Sequence, residues 1–408
     1  MFDLVFVGKF PYNGQVVEGS VAIEEGKIVR FSKGELKGEK ILRLGRGQVL
    51  LPGMIDVHVH LRDFEESHKE TVKSGTMAAI HGGITTVFDM PNTRPPVMDE
   101  RTFRLRGRIF RRSYADYALG FLLAGNCEEA KAVKADFYKA FMGASTGGIF
   151  SEDFEADYSC APGPLHVHAE EASLIIRFPE RPPIVEVVAI RKALDAAERI
   201  KKRLHICHVS TAEGLKEILK RGFSWVSFEV TPHHLFLTRR DYERNPFLKV
   251  YPPLRDEKDR RFLWEHIKDV PVIASDHAPH TPEDKEGGAA GLPGLETELA
   301  LLLDAVNRGL LTLWDVVEKT ALNPARLFCL KTKGFSEGKD ADIIVVDLKR
   351  EWVVRADDFY TKAGWSPYEG WRLKGKVIMT FLRGELVMEE DEIIGRPRGE
   401  RVAKENGA

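Results

Sequence analysis

The sequence predicts an α/β protein: a (βα)8, TIM-like barrel with a small β-sandwich domain built from both chain termini. Between about residue 50 and residue 330, short apolar segments alternate with amphipathic helical stretches, a pattern typical of parallel βα units. Short β-rich segments separated by Gly turns occupy both ends of the chain. A chain of 408 residues can bury a large core and still carry a smaller second domain.

The same patterns divide the chain into four parts. Residues 1–48, with the segments DLVFVGKF and GSVAIEEGKIVRFSKG, form the N-terminal part of the small β domain. Residues 49–335 form the barrel. Residues 336–395, with ADIIVVDL, EWVV and KVIMTFLRGELVM, form the C-terminal part of the β domain, and residues 396–408 form a polar tail that we expect to be frayed.

Eight apolar segments are the candidates for the barrel strands. They are MIDVHVH, TTVFDMP, DYALGFLL, DFYKAFM, PLHVHAE, RLHICHVS, SWVSFEVTP and VPVIASDHAPH. An open doubly wound sheet is the alternative, but no Gly-rich dinucleotide or P-loop fingerprint follows the first strand. The barrel therefore fits best.

Composition favours small-molecule chemistry. Sixty basic and 62 acidic residues give a formal charge of -2, so no overall field attracts nucleic acid or an anionic membrane. No apolar run approaches the roughly 20 residues of a membrane span. The four cysteines form no CxxC pair and a chain of this size needs no disulfide, so we expect a cytoplasmic protein.

Histidine and acidic residues gather where the predicted strands end. In the first strand Asp56, His58 and His60 alternate and therefore face the same side, towards the barrel mouth where catalytic residues of this fold lie. Alone, such a pair is as consistent with a structural role as with metal binding. Three more strand ends share the character: His166-Val-His168-Ala-Glu170, His205-Ile-Cys207-His208-Val-Ser210 and Ser275-Asp276-His277-Ala-Pro-His280.

Imidazole and carboxylate ligands suit zinc or a neighbouring divalent metal, and two such ions about 3.5 to 4 Å apart can share one hydroxide. A bridge between them requires an anionic group. Lys139 lies near the required depth, but an ammonium has no free lone pair. Addition of carbon dioxide would make it a carboxylate, although the residues alone are equally consistent with an ordinary solvated lysine.

Nine motifs between about residues 46 and 390 resemble those of dihydroorotases and their cyclic amidohydrolase relatives. In order they are DVHVHLRD, MPNT, KAFM, VHAE, ERPP, HICHVST, EVTPHHLFLT, PPLR and ASDHAPH. The resemblance implies two zinc ions per subunit, one held by His58, His60 and Asp276 and the other by His168 and His208. It also implies that carbamylated Lys139 bridges them, with Asp153 as the fallback bridge because some dihydroorotases use an Asp from this region.

The resemblance also implies the substrate and its binding residues. Arg62, Asn92 and His280 match the residues that clamp the substrate carboxylate in dihydroorotases. The implied reaction is the reversible hydrolysis of (S)-dihydroorotate to N-carbamoyl-L-aspartate in de novo pyrimidine biosynthesis, with Asp276 as base and then acid. Many relatives have Asn before the PPLR segment, whereas this chain has Tyr251, so the ring preference stays open.

Three alternatives compete with this interpretation. An allantoinase or a hydantoinase/dihydropyrimidinase would share the scaffold, but Arg62 and His280 favour a carboxylate-bearing ring. An inactive scaffold homologue typically loses ligands, and here the expected positions are filled. A single-metal deaminase would not explain the KAFM strand.

The resemblance further implies a homodimer and association with aspartate carbamoyltransferase.

The remaining histidines are predicted to have other roles. Those beside the motif positions are expected to be satisfied by hydrogen bonds rather than to touch metal or substrate: His166, His205, His233, His234 and His277. Three more lie in helical stretches and are expected to be structural or solvated: His68, His81 and His266.

Overall fold

The computed structural model describes residues 1–144 and 148–402, which contain two sheets. An eight-stranded parallel sheet comes from the middle of the chain, with the strands β6 (Met54–Val59), β7 (Ile84–Asp89), β8 (Asp116–Leu122), β9 (Phe137–Phe141), β10 (Leu165–His168), β11 (Leu204–Ile206), β12 (Val226–Val230) and β13 (Val272–Ile273). Each coincides with one of the eight predicted segments.

The eight strands close into a barrel. Each strand pairs in parallel with the next along the chain. Beyond β13, a parallel bridge joins Val59 to His277, and the His60 amide donates to the His277 carbonyl oxygen at 2.8 Å. The predicted (βα)8 barrel is confirmed.

Both chain ends build the second, nine-stranded sheet. Its strands are β1 (Phe2–Tyr12), β2 (Gln15–Glu24), β3 (Lys27–Ser32), β4 (Gly38–Arg43), β5 (Gln48–Pro52), β14 (Ile343–Val353), β15 (Arg372–Leu382), β16 (Glu385–Glu389) and β17 (Glu392–Ile393). Antiparallel pairing of β14 with β5 joins the two termini. The predicted separate β unit from both ends of the chain is therefore confirmed.

The helices surround the barrel. They are α1 (Val72–His81), α2 (Glu100–Ile109), α3 (Cys127–Ala132), α4 (Phe154–Cys160), α5 (Ala172–Arg177), α6 (Pro183–Ile200), α7 (Ala212–Arg221), α8 (Pro232–Phe236), α9 (Arg239–Arg244), α10 (Glu257–Glu265), α11 (Pro282–Glu286), α12 (Glu298–Asn307), α13 (Leu313–Val317) and α14 (Asn323–Leu327). Local sequence fixes several ends: Thr71 caps α1 reciprocally with Ser74, and Gly222 ends α7 in the left-handed region.

Two features outside the barrel differ from expectation. Cys127 and Cys160 form a disulfide between α3 and α4, although their separation of 33 residues follows no recognisable pattern. Residues 399–402 of the expected tail are not frayed, because the Tyr117 amide donates to the Glu400 carbonyl and the Val402 amide donates to the Tyr117 carbonyl, both at 2.9 Å. Residues 403–408 lie outside the described part of the chain.

Within residues 1–144 and 148–402, no helix combines the length and apolar character needed to cross a membrane.

Candidate active site

A cavity of about 380 Å³, which includes space open to solvent, lies at the carboxyl ends of the barrel strands. It is lined by His58, His60, Arg62, Asn92, Phe141, His168, His208, Val250, Tyr251, Asp276, Ala278, Ala290 and Gly291. Most residues that the sequence assigns to metal or substrate therefore meet in one place. The reason is geometric, since parallel strands of a barrel all end at the same rim.

The first ligand group consists of His58, His60 and Asp276. Nε2 of His58 lies 3.3 Å and Nε2 of His60 lies 3.2 Å from Asp276 Oδ1. The opposite nitrogens are occupied, because Nδ1 of His58 contacts Glu229 and Nδ1 of His60 lies 2.7 Å from Asn92 Oδ1. Acceptors at Nδ1 leave both Nε2 lone pairs directed at the carboxylate, an arrangement that fits a divalent cation.

The second ligand group consists of His168 and His208. His168 Nδ1 lies 2.9 Å from His208 Nε2, and His168 Nε2 lies 2.8 Å from Glu170 Oε2. Glu170 accepts a hydrogen bond from the Nε2–H of His168, so the Nδ1 lone pair faces the second imidazole. In the described part of the chain, His208 Nδ1 has no hydrogen-bond partner. The His58 and His208 ring centroids are 5.2 Å apart, which places the two groups side by side.

Lys139 of β9 is fully buried beside both groups. Its Nζ donates to Cys207 Sγ at 2.9 Å and lies 5.2 Å from the centre of the Phe141 ring. Burial, and then the positive charge of Lys139, lower the pKa of His58 well below its usual range. Among the residues that the structure describes, no carboxylate pairs with this ammonium. The charge of Lys139 lowers the pKa of the Asp276 carboxyl against the larger effect of burial, although the two do not form an ion pair, and a carboxylate in place of the ammonium would suit two cations.

Arg62, Asn92 and His280 form a polar group at one side of the cavity. Arg62 and Asn92 line it, and His280 supports Arg62 from behind, with its Nε2 3.1 Å from Arg62 Nη2. The same Nε2 also lies 3.1 Å from the Ala290 carbonyl oxygen, so it stands between a guanidinium donor and a carbonyl acceptor. The structure thus gathers the three predicted carboxylate-binding residues.

Tyr251, which directly precedes the PPLR segment, lines the cavity. Its ring centre lies 3.6 Å from the guanidinium carbon of Arg181, which is paired with Glu170. Glu170 also accepts from His168, so the tyrosine is connected to the second ligand group through two charged residues.

Three residues of the site have left-handed backbone conformations. The φ angles are 47° for Arg62, 38° for His208 and 46° for Asp276. Side chains other than Gly rarely adopt this region, and such residues concentrate at functional sites. Burial, the largest effect on this carboxyl, raises the pKa of Asp276 to about 7.

The structure removes one candidate and adds another. Asp153 is exposed on the surface, where its carboxylate caps α4 by accepting from the Ala156 amide at 3.0 Å. The fallback bridge is therefore wrong. Glu229 of β12, which the sequence did not single out, is fully buried and holds both His58 and His205. The sequence signal that could have found it is a carboxylate in the middle of the short strand β12.

The other histidines mostly follow expectation. His205 contacts Ser227 and Glu229, and His234 contacts Thr231 and the Pro252 carbonyl. His166 differs: it is buried among aromatic rings, and neither ring nitrogen has a hydrogen-bond partner in the described residues. His233 Nε2 and His277 Nε2 also have no hydrogen-bond partner there, so these two histidines meet the expectation only in part. His81 is buried between Glu296 and Asp391, which makes it structural.

Comparison with known proteins gives a consistent picture. Residues 49–230 and 262–387 match the amidohydrolase family. The chain is 69 % identical to a dihydroorotase of Pyrococcus horikoshii, covering 100 % of this chain and 97 % of that protein. It is 59 % identical to a dihydroorotase of Thermococcus kodakarensis and 38 % identical to one of Archaeoglobus fulgidus, over 100 % and 97 % of this chain and 100 % and 99 % of those proteins.

Solved structures share the fold. An L-hydantoinase (dihydropyrimidinase) from Arthrobacter aurescens superposes with a TM-score of 0.93 at 28 % identity, covering 99 % of this chain and 100 % of the other. A D-hydantoinase (dihydropyrimidinase) from Thermus sp. gives a TM-score of 0.88 at 22 % identity over 97 % of both chains. The second likeness concerns the fold alone.

Proposed function

This chain belongs to the amidohydrolase family, and from that premise we propose that it acts as a dihydroorotase, a metal-dependent hydrolase of a cyclic amide. The reaction is the reversible hydrolysis of (S)-dihydroorotate to N-carbamoyl-L-aspartate. The observation that carries this proposal is the convergence of two imidazole Nε2 atoms on Asp276 in a cavity that also presents Arg62 and Asn92.

The polar group of the cavity supports a carboxylate-bearing substrate over a plain ureide ring. Arg62 is almost fully buried, and its guanidinium can form two parallel hydrogen bonds with a carboxylate. The Asn92 amide nitrogen is free to donate, because its oxygen faces His60 Nδ1. We propose that Arg62 and Asn92 contact the substrate carboxylate directly. His280 instead contacts the guanidinium of Arg62.

We propose that the chain holds two zinc ions. His58, His60 and Asp276 would hold one and His168 and His208 the other, with carbamylated Lys139 between them. When bound, two such cations make a hydroxide available near neutral pH and polarise the ring carbonyl. Glu229 pairs with His58 and Glu170 pairs with His168, which supports the proposal. A metal-binding imidazole usually donates the N–H of its other ring nitrogen to a carboxylate or carbonyl.

Asp276 is the proposed proton carrier. It lines the cavity beside both imidazoles of the first group, so its carboxylate can take the proton of the attacking water. The same carboxyl then gives that proton to the departing ring nitrogen. In the reverse direction the steps are exchanged, and N-carbamoyl-L-aspartate closes to the ring.

A substitution tests this role. Asp276→Asn keeps the size of the side chain but removes the base, so kcat should fall by about a thousandfold or more while the circular dichroism spectrum stays unchanged. Asp153→Asn, on the exposed surface, is the matched control and should retain wild-type kcat. Near-normal turnover by Asp276→Asn would exclude Asp276 from proton transfer.

Substrate choice is tested by parallel assays. The zinc-loaded protein should turn over dihydroorotate with a far higher kcat/KM than allantoin, hydantoin or dihydrouracil. A preference for hydantoin or dihydrouracil would instead favour the activity named for the structural relatives. Arg62→Met should abolish the preference for the carboxylate-bearing ring.

The proposed assembly rests on the resemblance alone, and the proposed location rests on the cysteine pattern and the lack of an apolar run long enough for a membrane span. We propose a cytoplasmic homodimer that associates with aspartate carbamoyltransferase. Light scattering of the purified chain, with and without that enzyme, measures both associations, and a monomer that stays separate would contradict them.

A further inference from the structure

Two chain segments outside the barrel strands complete the wall of the cavity. One contributes Val250 and Tyr251, and the other contributes Ala290 and Gly291. All four residues lie in neither a helix nor a strand, so regular backbone hydrogen bonding does not hold them in place. Something else must fix the two segments relative to each other.

Lys285 of α11 occupies the space between these segments. The side chain is buried, and its Nζ donates to three main-chain carbonyls: Lys249 O at 3.0 Å, Ala289 O at 2.8 Å and Gly291 O at 2.9 Å. A direct bond from the Gly291 amide to Lys249 O, at 3.0 Å, runs in parallel. One ammonium thus ties together both segments of the wall.

The 289–291 segment packs closely against the proposed substrate-binding residues. Gly291 has a φ of 143°, and a Cβ added there would lie 2.4 Å from the Ala278 carbonyl oxygen and 3.0 Å from His280 Cδ2. His280 in turn contacts Arg62. A shift of the 289–291 segment would therefore move the cavity wall and release the support of the guanidinium.

The ammonium itself is electrostatically costly. In the part of the chain that the structure describes, no carboxylate pairs with Lys285. Burial, followed by the positive charges of Lys249 and Arg62, lowers the pKa of Lys285 to about 7. Hydrogen bonding favours the charged form of Lys285, because the three carbonyls require three N–H donors. A lysine supplies three donors only as the ammonium.

We infer that Lys285 is a positioning residue for substrate binding, which joins the 249–251 and 289–291 segments into one rigid wall of the cavity. The inference rests on the proposed function. It does not place Lys285 in contact with the reacting atoms or the metal ligands. Its loss should therefore weaken binding of the ring more than it slows the chemical step.

The test compares two buried lysines. Lys285→Met keeps the aliphatic chain and removes all three donors, so KM for dihydroorotate should rise about tenfold or more, with a smaller change in kcat and unchanged zinc content. Lys319→Met is the matched control. Lys319 is also buried and donates to main-chain carbonyls, Val270 O at 2.7 Å and Lys268 O at 3.3 Å, but these carbonyls belong to a segment that does not line the cavity. Its substitution should lower thermal stability and leave KM unchanged.

Two further measurements separate positioning from a general loss of stability. Lys285→Gln retains two N–H donors and should recover part of the lost affinity. Hydrogen exchange should be faster in Lys285→Met at the Gly291 amide, and the Lys319→Met protein should show no such change.

An unchanged KM and unchanged exchange in Lys285→Met would overturn the inference, as would an equal rise of KM in Lys319→Met. These outcomes are distinct from failure of the proposed function, in which the wild-type protein itself would not hydrolyse dihydroorotate.

Discussion

Two buried lysines show how differently this molecule treats a positive charge. At the amino end of β8, Lys333 pairs with Asp116, with Asp340 Oδ2 at 3.1 Å and with Asp342 Oδ2 at 2.6 Å. Burial opposes this charge, but the three carboxylates outweigh it and raise the pKa of Lys333 well above its usual range. Lys139, within the active site, has a cysteine sulfur, an aromatic ring and imidazoles around it.

The difference indicates what each position is for. The Lys333 surroundings satisfy a permanent cation, and the cluster joins the barrel to the loop before β14, so its role is stability. Lys139 has no carboxylate within ion-pair distance among the described residues, and the proposed carbamylation would place a carboxylate between the two proposed metal ions. A buried charge without a partner costs several kcal/mol, and proteins retain such a position where function requires it.

The largest expected effect is on activity. Lys139→Met should reduce kcat by about a thousandfold or more, because the bridge between the two proposed cations is lost. In the presence of chelator, its free energy of unfolding in urea should equal or exceed that of the wild type, since an unpaired buried cation is removed. A Lys139→Met protein that is much less stable than the wild type but keeps its turnover rate would contradict the contrast between Lys139 and Lys333.

Lys333→Met should have the opposite effect. Removal of the ammonium leaves three buried carboxylates without their common partner, so the free energy of unfolding should fall by about 3 to 5 kcal/mol. The kcat of the folded protein at a moderate temperature should remain close to that of the wild type. Denaturant titration and steady-state rates measure the two quantities, and a large loss of kcat would connect this cluster to the active site.

The disulfide provides a stabilising element without a buried charge. The Cys127–Cys160 bond closes a loop between residues 33 apart, so replacing both cysteines by Ser should lower the free energy of unfolding by about 3 to 4 kcal/mol in the chain-entropy view. Both cysteines lie outside the cavity lining, and kcat should not change. Calorimetry of the oxidised, reduced and double-Ser proteins measures the effect; equal transition temperatures would show that the bond contributes nothing.

His81 gives the smallest effect and depends on pH. Burial lowers the pKa of its imidazole, but the hydrogen bonds that it donates to Asp391 and Glu296 outweigh burial and raise the pKa to about 9. Because the folded value lies above the usual value of about 6.5, this stabilisation is complete below pH 6.5 and is lost as pH rises towards 9. The loss should be about 2 kcal/mol in urea titrations across that range. His81→Gln should flatten the dependence, and an identical slope in this variant would assign it to other groups.

Much of the barrel and of its site could be predicted because the signals are local. Each strand is a short apolar run, and the alternation in β6 puts His58 and His60 on one side. Strand ends meet at one rim in this fold, so His168, His208 and Asp276 could be expected nearby.

The parts that could not be predicted depend on long-range contacts. Glu229 reaches His58 across 171 residues, and nothing in the sequence of β12 indicates which side chain it holds. The three carbonyls around Lys285 come from loops without a hydrophobic period. Asp153 was predicted as a fallback bridge between the metal ions. An Asp can equally cap a helix, and the structure shows that Asp153 caps α4.

We propose above that Lys139 and the two histidine groups hold a pair of metal ions. Elemental analysis of the purified wild-type protein and of Lys139→Ala, each reconstituted with zinc and bicarbonate, tests it most directly. The account predicts two zinc ions per active wild-type chain, and a variant that retains at most one and has lost activity. Full activity without divalent metal, or equal metal content and activity in the two proteins, would contradict it.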